Sequence, residues 1–186
     1  MEIKELISGL EQNNAFSDWK KKNTSAYLSY LFRTYEDAAN ENKWSDWQVG
    51  YYEPNEDKLA TFILGKDDNV TVQDHEEIFK KPDTKVRELE LNKIKIDYKQ
   101  ALDIARDFQR SNYTHEMVGK ILCILQDLEN FNNIWNITYV TLAFNTLNIK
   151  IDAVTGKVVE HKLTSLLNMA QNNVMEALSK IKKKKE

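Results

Sequence analysis

Apolar positions recur with two periods along the chain, and the changes of period divide it into elements. Ile3, Leu6, Ile7 and Leu10 are spaced by three, one and three, which predicts a helix over 3–13. The polar stretch Lys20 to Asn23 reads as a solvated turn. Thr24 can cap a second helix, whose stripe is Leu28, Leu31, Phe32, Tyr35, Ala38 and Ala39. The period then drops to two. Trp47, Val49 and Tyr51 alternate, 59–64 is rich in strand formers, and Val70-Thr71-Val72 follows a turn, so a three-stranded meander is expected. Asp74 with Glu77 suggests a short capped helix. Lys80-Lys81-Pro82-Asp83 marks a boundary, dividing the chain into 1–82 and 83–186.

The second half follows the same plan. Val86 to Ile96 should be extended, and Asp97 with Gln100 opens a helix striped by Tyr98, Ala101, Leu102, Ala105 and Phe108. Thr114 can cap another, carrying Val118, Ile121, Leu122, Leu125 and Leu128. Alternation returns at Trp135, Ile137 and Tyr139, then at Leu147, Ile149 and Ile151, and Lys157 to His161 returns the chain after Thr155-Gly156. A last helix is expected from Thr164 through Leu166, Leu167, Ala170, Val174, Ala177, Leu178 and Ile181.

The halves align. An offset of 88 matches Trp47 with Trp135, Tyr51 with Tyr139, Leu59 with Leu147 and Ile63 with Ile151, while an offset of 90 aligns Leu28, Leu31 and Phe32 with Val118, Ile121 and Leu122. The expected fold class is therefore α+β, as two repeated units, each with helices packed on a three-stranded antiparallel sheet.

One stretch resembles a known family. The run from Ile96 to Ala105, the segment Trp135-Asn-Ile-Thr-Tyr139, and Leu147 to Val159 with its Asp152-x-x-Thr155-Gly156-Lys157 turn are similar to the helix start and strand pair of PepSY domains. The resemblance covers about 70 residues, with a weaker echo over 24–80. It implies a PepSY- or cystatin-like module that binds or inhibits, with no catalytic residues. Members of that family are often exported.

Composition narrows the function by exclusion. The chain has 186 residues, 41% of them hydrophobic, and a net charge of -3. No run of 18 apolar residues codes a membrane span, and the start lacks the pattern of a secretory signal, so a cytoplasmic placement is expected. The 26 basic residues include only four Arg (Arg33, Arg87, Arg106 and Arg110), and the densest run, Lys182 to Lys185, reads as a solubilising helix end. Neither a nucleic acid nor a membrane is expected as partner.

Candidate chemistry is sparse. His75 lies in Asp74-His75-Glu76-Glu77 without a second His four residues on, so the spacing of a helical zinc site is missing. His115 reads as a first-turn surface residue, His161 ends the final strand, and Cys123 sits among apolar neighbours as a buried thiol. Asp67-Asp68-Asn69 lacks the rest of a calcium loop. No nucleophile elbow, phosphate loop or dinucleotide turn is present. Catalytic, cofactor and metal residues are therefore all expected to be none. The aromatic residues at the sheet entries mostly suit a core. Trp44 and Tyr52 have no equivalents in the second half and are the candidates for partner binding.

These readings converge on a non-catalytic module binding a protein or peptide, with a homodimer left open. The alternative is an intracellular immunity or antitoxin-type protein that blocks a partner. A third reading is an enzyme whose site would gather His75, His115, His161 or Cys123.

Overall fold

The computed structural model describes residues 2–36, 44–65, 69–77 and 85–168, with the backbone alone at 74–77. The elements are α1 (Ile3–Glu11), α2 (Asn14–Lys22), β1 (Tyr27–Tyr35), β2 (Trp47–Glu53), β3 (Lys58–Leu64), β4 (Val70–Glu77), α3 (Tyr98–Asn112), β5 (Val118–Leu128), β6 (Asn132–Thr141), β7 (Asn145–Asp152) and β8 (Val158–Ser165). The strands form one eight-stranded antiparallel sheet in the order β4-β3-β2-β1-β5-β6-β7-β8.

This overturns the expected fold class. There are no two helix-on-three-strand units, and the α+β, repeated, PepSY- or cystatin-like architecture gives way to a single sheet. The error lies in two segments. The helices expected after Thr24 and Thr114 are the strands β1 and β5, which pair with each other through Leu31↔Leu125 and Arg33↔Cys123 at the centre of the sheet. Each carries a bulge. Ser29 is the extra residue between Leu28 and Tyr30, and Gly119 is the extra residue between Val118 and Lys120. A bulge puts residues three apart on one face of a strand. Leu28 with Leu31, and Val118 with Ile121, therefore show helical spacing while lying in a sheet, all four packed in the same core. Phe32 and Leu122 completed the apparent stripes from the opposite face. The expected short helix after Asp74 is the end of β4. The boundary at Pro82 and the C-terminal helix beyond Asn168 lie outside the described residues.

A helix that the sequence reading passed over is α2. Asn13 caps it, its side chain accepting from the Ala15 amide at 2.9 Å, and Phe16 and Trp19 are buried one turn apart. Their rings meet Phe62 at 5.1 and 5.2 Å between centroids. α1 adds Ile3, Leu6, Ile7 and Leu10 to the same layer, each worth roughly 1.5–3 kcal/mol relative to exposure. Over the second half, α3 starts at the expected reciprocal cap. The Gln100 amide donates to Asp97 Oδ1 at 2.8 Å and the Asp97 amide donates to Gln100 Oε1 at 2.9 Å. Ala101 and Ala105, both fully buried, let this helix sit close to the sheet.

Among the described residues, the three helices all cover one face of the sheet. Leu147, Ile149 and Ile151 point into that layer and are fully buried. Asn148 points the other way and donates to Asn136 Oδ1 and Thr138 Oγ1 at 2.6 and 2.7 Å. The linking segment before α3 ties the layers together. The Leu89 amide donates to Leu28 O, and the Ile96 amide to Ala153 O. The Trp135 indole donates to Ile96 O at 2.8 Å.

A candidate binding pocket at the seam of the sheet

The seam where β1 meets β5 lies between α1–α2 on one side and α3 on the other. One end of it is left partly uncovered. A cavity of about 440 Å³ opens there, lined by Tyr35, Trp44, Leu102, Arg106, Gln109, Arg110, Val118, Ile121 and Tyr139. Each element supplies its share for a local reason. On α3, Leu102, Arg106, Gln109 and Arg110 recur at helical spacing and share a face. Gln109 Nε2 donates to Tyr113 O and Glu116 O, which fixes the turn from α3 into β5. The bulge at Gly119 sets Val118 and Ile121 on the helix-covered side. Trp44 is held by an isolated bridge to Tyr35, the two rings 4.9 Å apart.

Behind this wall the aromatic residues form a chain. Trp44 meets Tyr98 at 5.3 Å, Tyr98 meets Trp47 at 5.0 Å, and Tyr98 meets Trp135 at 6.0 Å. Arg33 projects among these rings, its guanidinium carbon 5.4, 5.3 and 5.9 Å from the centroids of Trp44, Trp47 and Tyr98. Its Nε donates to Ser45 O at 2.7 Å. Ring faces stabilise a guanidinium without neutralising it. Arg33 has no carboxylate partner among the described residues. Arg106 pairs with Asp103 at 2.6 Å on its own helix, and Asp107 lies 3.8 Å away. Arg110 forms no ion pair among the described residues.

Burial raises the Tyr139 hydroxyl well above its ordinary pKa, with Cys123 adding to the rise and Arg106 and Arg110 pulling against it. Burial likewise raises Tyr98, with Arg33 opposing. The Cys123 thiol, fully buried between β1 and β6, is pushed up by burial. That favours the protonated thiol and removes the nucleophilic thiolate.

The sequence-based candidates are not brought together. Trp44 is half-buried in the pocket wall. Tyr52 is buried at the far end of β2, against Tyr27 at 5.5 Å, with its hydroxyl donating to Asp57 Oδ1 at 2.5 Å. Tyr27 and Tyr35 lie at opposite ends of β1, so Trp44 and Tyr52 do not share a patch. His115 is exposed in the turn after α3. His161, on β8, has its Nδ1 2.7 Å from the Tyr113 hydroxyl. The side chain of His75 lies outside the described residues. Among the described residues, no three His, Cys, Asp or Glu side chains are grouped to hold a metal ion. The arginines were the signal missed. Three of the four in the chain converge here, and Arg106 and Arg110 stand four apart on a predicted helix.

No protein-family model matches the chain. No curated protein matches it either. Among solved structures, the crystal structure of a putative lipoprotein from Clostridium difficile 630 is similar, with a TM-score of 0.52 and 18% sequence identity over 83% of this chain and 97% of that one. The likeness is one of fold. The cytoplasmic placement expected from the sequence finds no support in it. Among the described residues, no helix is long and apolar enough to cross a membrane.

Proposed function

We propose that the chain is a non-catalytic module that binds a peptide segment of a protein partner in the seam pocket. The observation that carries this reading is the pocket's make-up: apolar and aromatic walls with a cationic rim, and no carboxylate among its described lining residues. General acid–base or nucleophilic chemistry needs a perturbed group within reach of a partner group. The strongly perturbed groups at the seam are tyrosines and a cysteine held in their neutral forms. A cavity of this size suits one or two side chains of a bound segment. The likeness to a lipoprotein supports a setting outside the cytoplasm.

The test is peptide display against the whole protein and against Val118→Trp, which fills the pocket from β5. The reading expects a peptide family enriched on the wild type and lost on the variant, with both proteins giving the same far-ultraviolet circular dichroism. Enrichment that survives the filled pocket, or none on the wild type, would refute it.

A further inference from the structure

Among the described residues the charges around the seam pocket are out of balance, and this selects the chemistry of its occupant. Arg106 and Arg110 stand on the rim, and Arg33 lies behind the Trp44 wall. Among the described residues, the carboxylates within ion-pair distance of these three groups are Asp103 and Asp107, both on α3 and both beside Arg106. Arg33 is half-buried, where water screens its charge less than at the surface. Arg110 is exposed and, among the described residues, unpaired. Three guanidiniums against the carboxylates of Asp103 and Asp107 leave, among the described residues, a net positive charge beside a cavity whose walls, Tyr35, Trp44, Leu102, Val118 and Ile121, are apolar.

Resting on the peptide-binding reading, we infer that the pocket takes an acidic peptide segment in which carboxylates flank an aromatic or branched apolar side chain. The apolar side chain enters between Trp44 and Ile121. The carboxylates meet Arg106 and Arg110, which stand one helical turn apart on the same face of α3. A guanidinium can hold a carboxylate with two parallel hydrogen bonds, which gives direction as well as charge. A basic segment would meet like charge at Arg106 and Arg110 on the rim, and such juxtaposition opposes binding.

The arginine side chains supply their own readout, since the chain has only four. Arg87 is paired with Asp127 away from the pocket and serves as the internal control. The experiment is a nuclear magnetic resonance titration of the whole protein, following the arginine Nε–Hε signals and the tryptophan indole N–H signals. The probes are acetyl-Asp-Glu-Phe-Asp-amide, its uncharged counterpart acetyl-Asn-Gln-Phe-Asn-amide, and sodium phosphate at matched ionic strength. The acidic peptide should shift Arg106, Arg110 and Trp44 and leave Arg87 in place. The uncharged peptide should bind about a hundredfold more weakly, the loss of two charge-assisted contacts at about tenfold each. R106Q and R110Q, both at exposed positions, should each weaken the acidic peptide about tenfold, the loss of one such contact.

Equal binding of the uncharged peptide would overturn the inference and leave the peptide-binding reading standing. Phosphate shifting the arginines as strongly as the peptide would overturn it too, because the site would then select charge alone. Display that enriches neutral or basic sequences, lost on Val118→Trp, would likewise refute the inference and keep the reading. Failure of the display itself would end both.

Discussion

A bulky side chain in the left-handed backbone region is costly, and Phe144 is one, with φ at 56° and its ring 62% exposed. In the other half, Asp57 occupies the corresponding place in its hairpin with φ at 53°, a residue type that tolerates the region. Phe144→Asn should therefore stabilise the fold by about 1 kcal/mol, seen as a higher urea midpoint at unchanged slope. Gly156 is a different case. Its φ is 74°, and a Cβ there would lie 3.2 Å from Ile96 and 3.3 Å from Ile104. Asp152 Oδ1 accepts from the Val154 and Thr155 amides at 2.8 and 2.7 Å and fixes this turn. The turn was legible from Asp152-x-x-Thr155-Gly156 because its chemistry is local. Trp135 is fully buried and bonded to Ile96 O. Trp135→Ala should cost about 3–5 kcal/mol in chemical denaturation, and a neutral result would place that ring outside the core.

At the scale of elements, legibility followed how local each determinant is. α1 could be read from its stripe of Ile3, Leu6, Ile7 and Leu10 and α3 from its Asp97–Gln100 cap, whereas α2, capped by Asn13, buries only Phe16 and Trp19 and offers too short a stripe. The alternating strands β2, β6 and β7 could also be read. β1 and β5 could not, because a bulge in each converted alternation into helical spacing, and the bulge belongs to the pairing rather than to the strand. The offset of 88 suffered similarly. Tyr52↔Leu59 encloses six residues, whereas Val140↔Thr146 encloses five. The second hairpin is thus one residue shorter, and Leu147 corresponds in position to Ala60. A one-residue slip exchanges the faces of a strand. Leu59 accordingly lies on the face opposite Leu147. The pocket was invisible for a related reason: its arginines come from β1 and α3, and only the β1–β5 pairing joins them. On the open face, the Tyr30 ring lies over Gly50, where a Cβ would come within 1.9 Å, and its hydroxyl is 2.9 Å from Thr61 Oγ1. Gly50→Ala should destabilise by roughly 1–3 kcal/mol. In a Tyr30→Ala background most of that loss should vanish, a coupling that a double-mutant cycle measures directly.

Across the whole molecule, burial holds Tyr51, Tyr98 and Tyr139 neutral well beyond the ordinary tyrosine range. Their folded pKa values are raised, so the unfolded chain loses its protons first as pH climbs past about 10. The stability they contribute is complete below that pH and falls above it. Tyrosinate absorbance should show these three ionising only with cooperative unfolding. Early, non-cooperative ionisation of all eight would contradict their burial. Everything proposed for the pocket depends on one feature, the joining of the two halves through β1 and β5. Backbone nuclear Overhauser contacts test it most directly. The account predicts cross-strand contacts for Leu31 with Leu125 and Arg33 with Cys123, as strong as those for Tyr51 with Ala60, and extended-strand chemical shifts over 27–35 and 118–128. Helical shifts over those segments, with no contact between them, would contradict it.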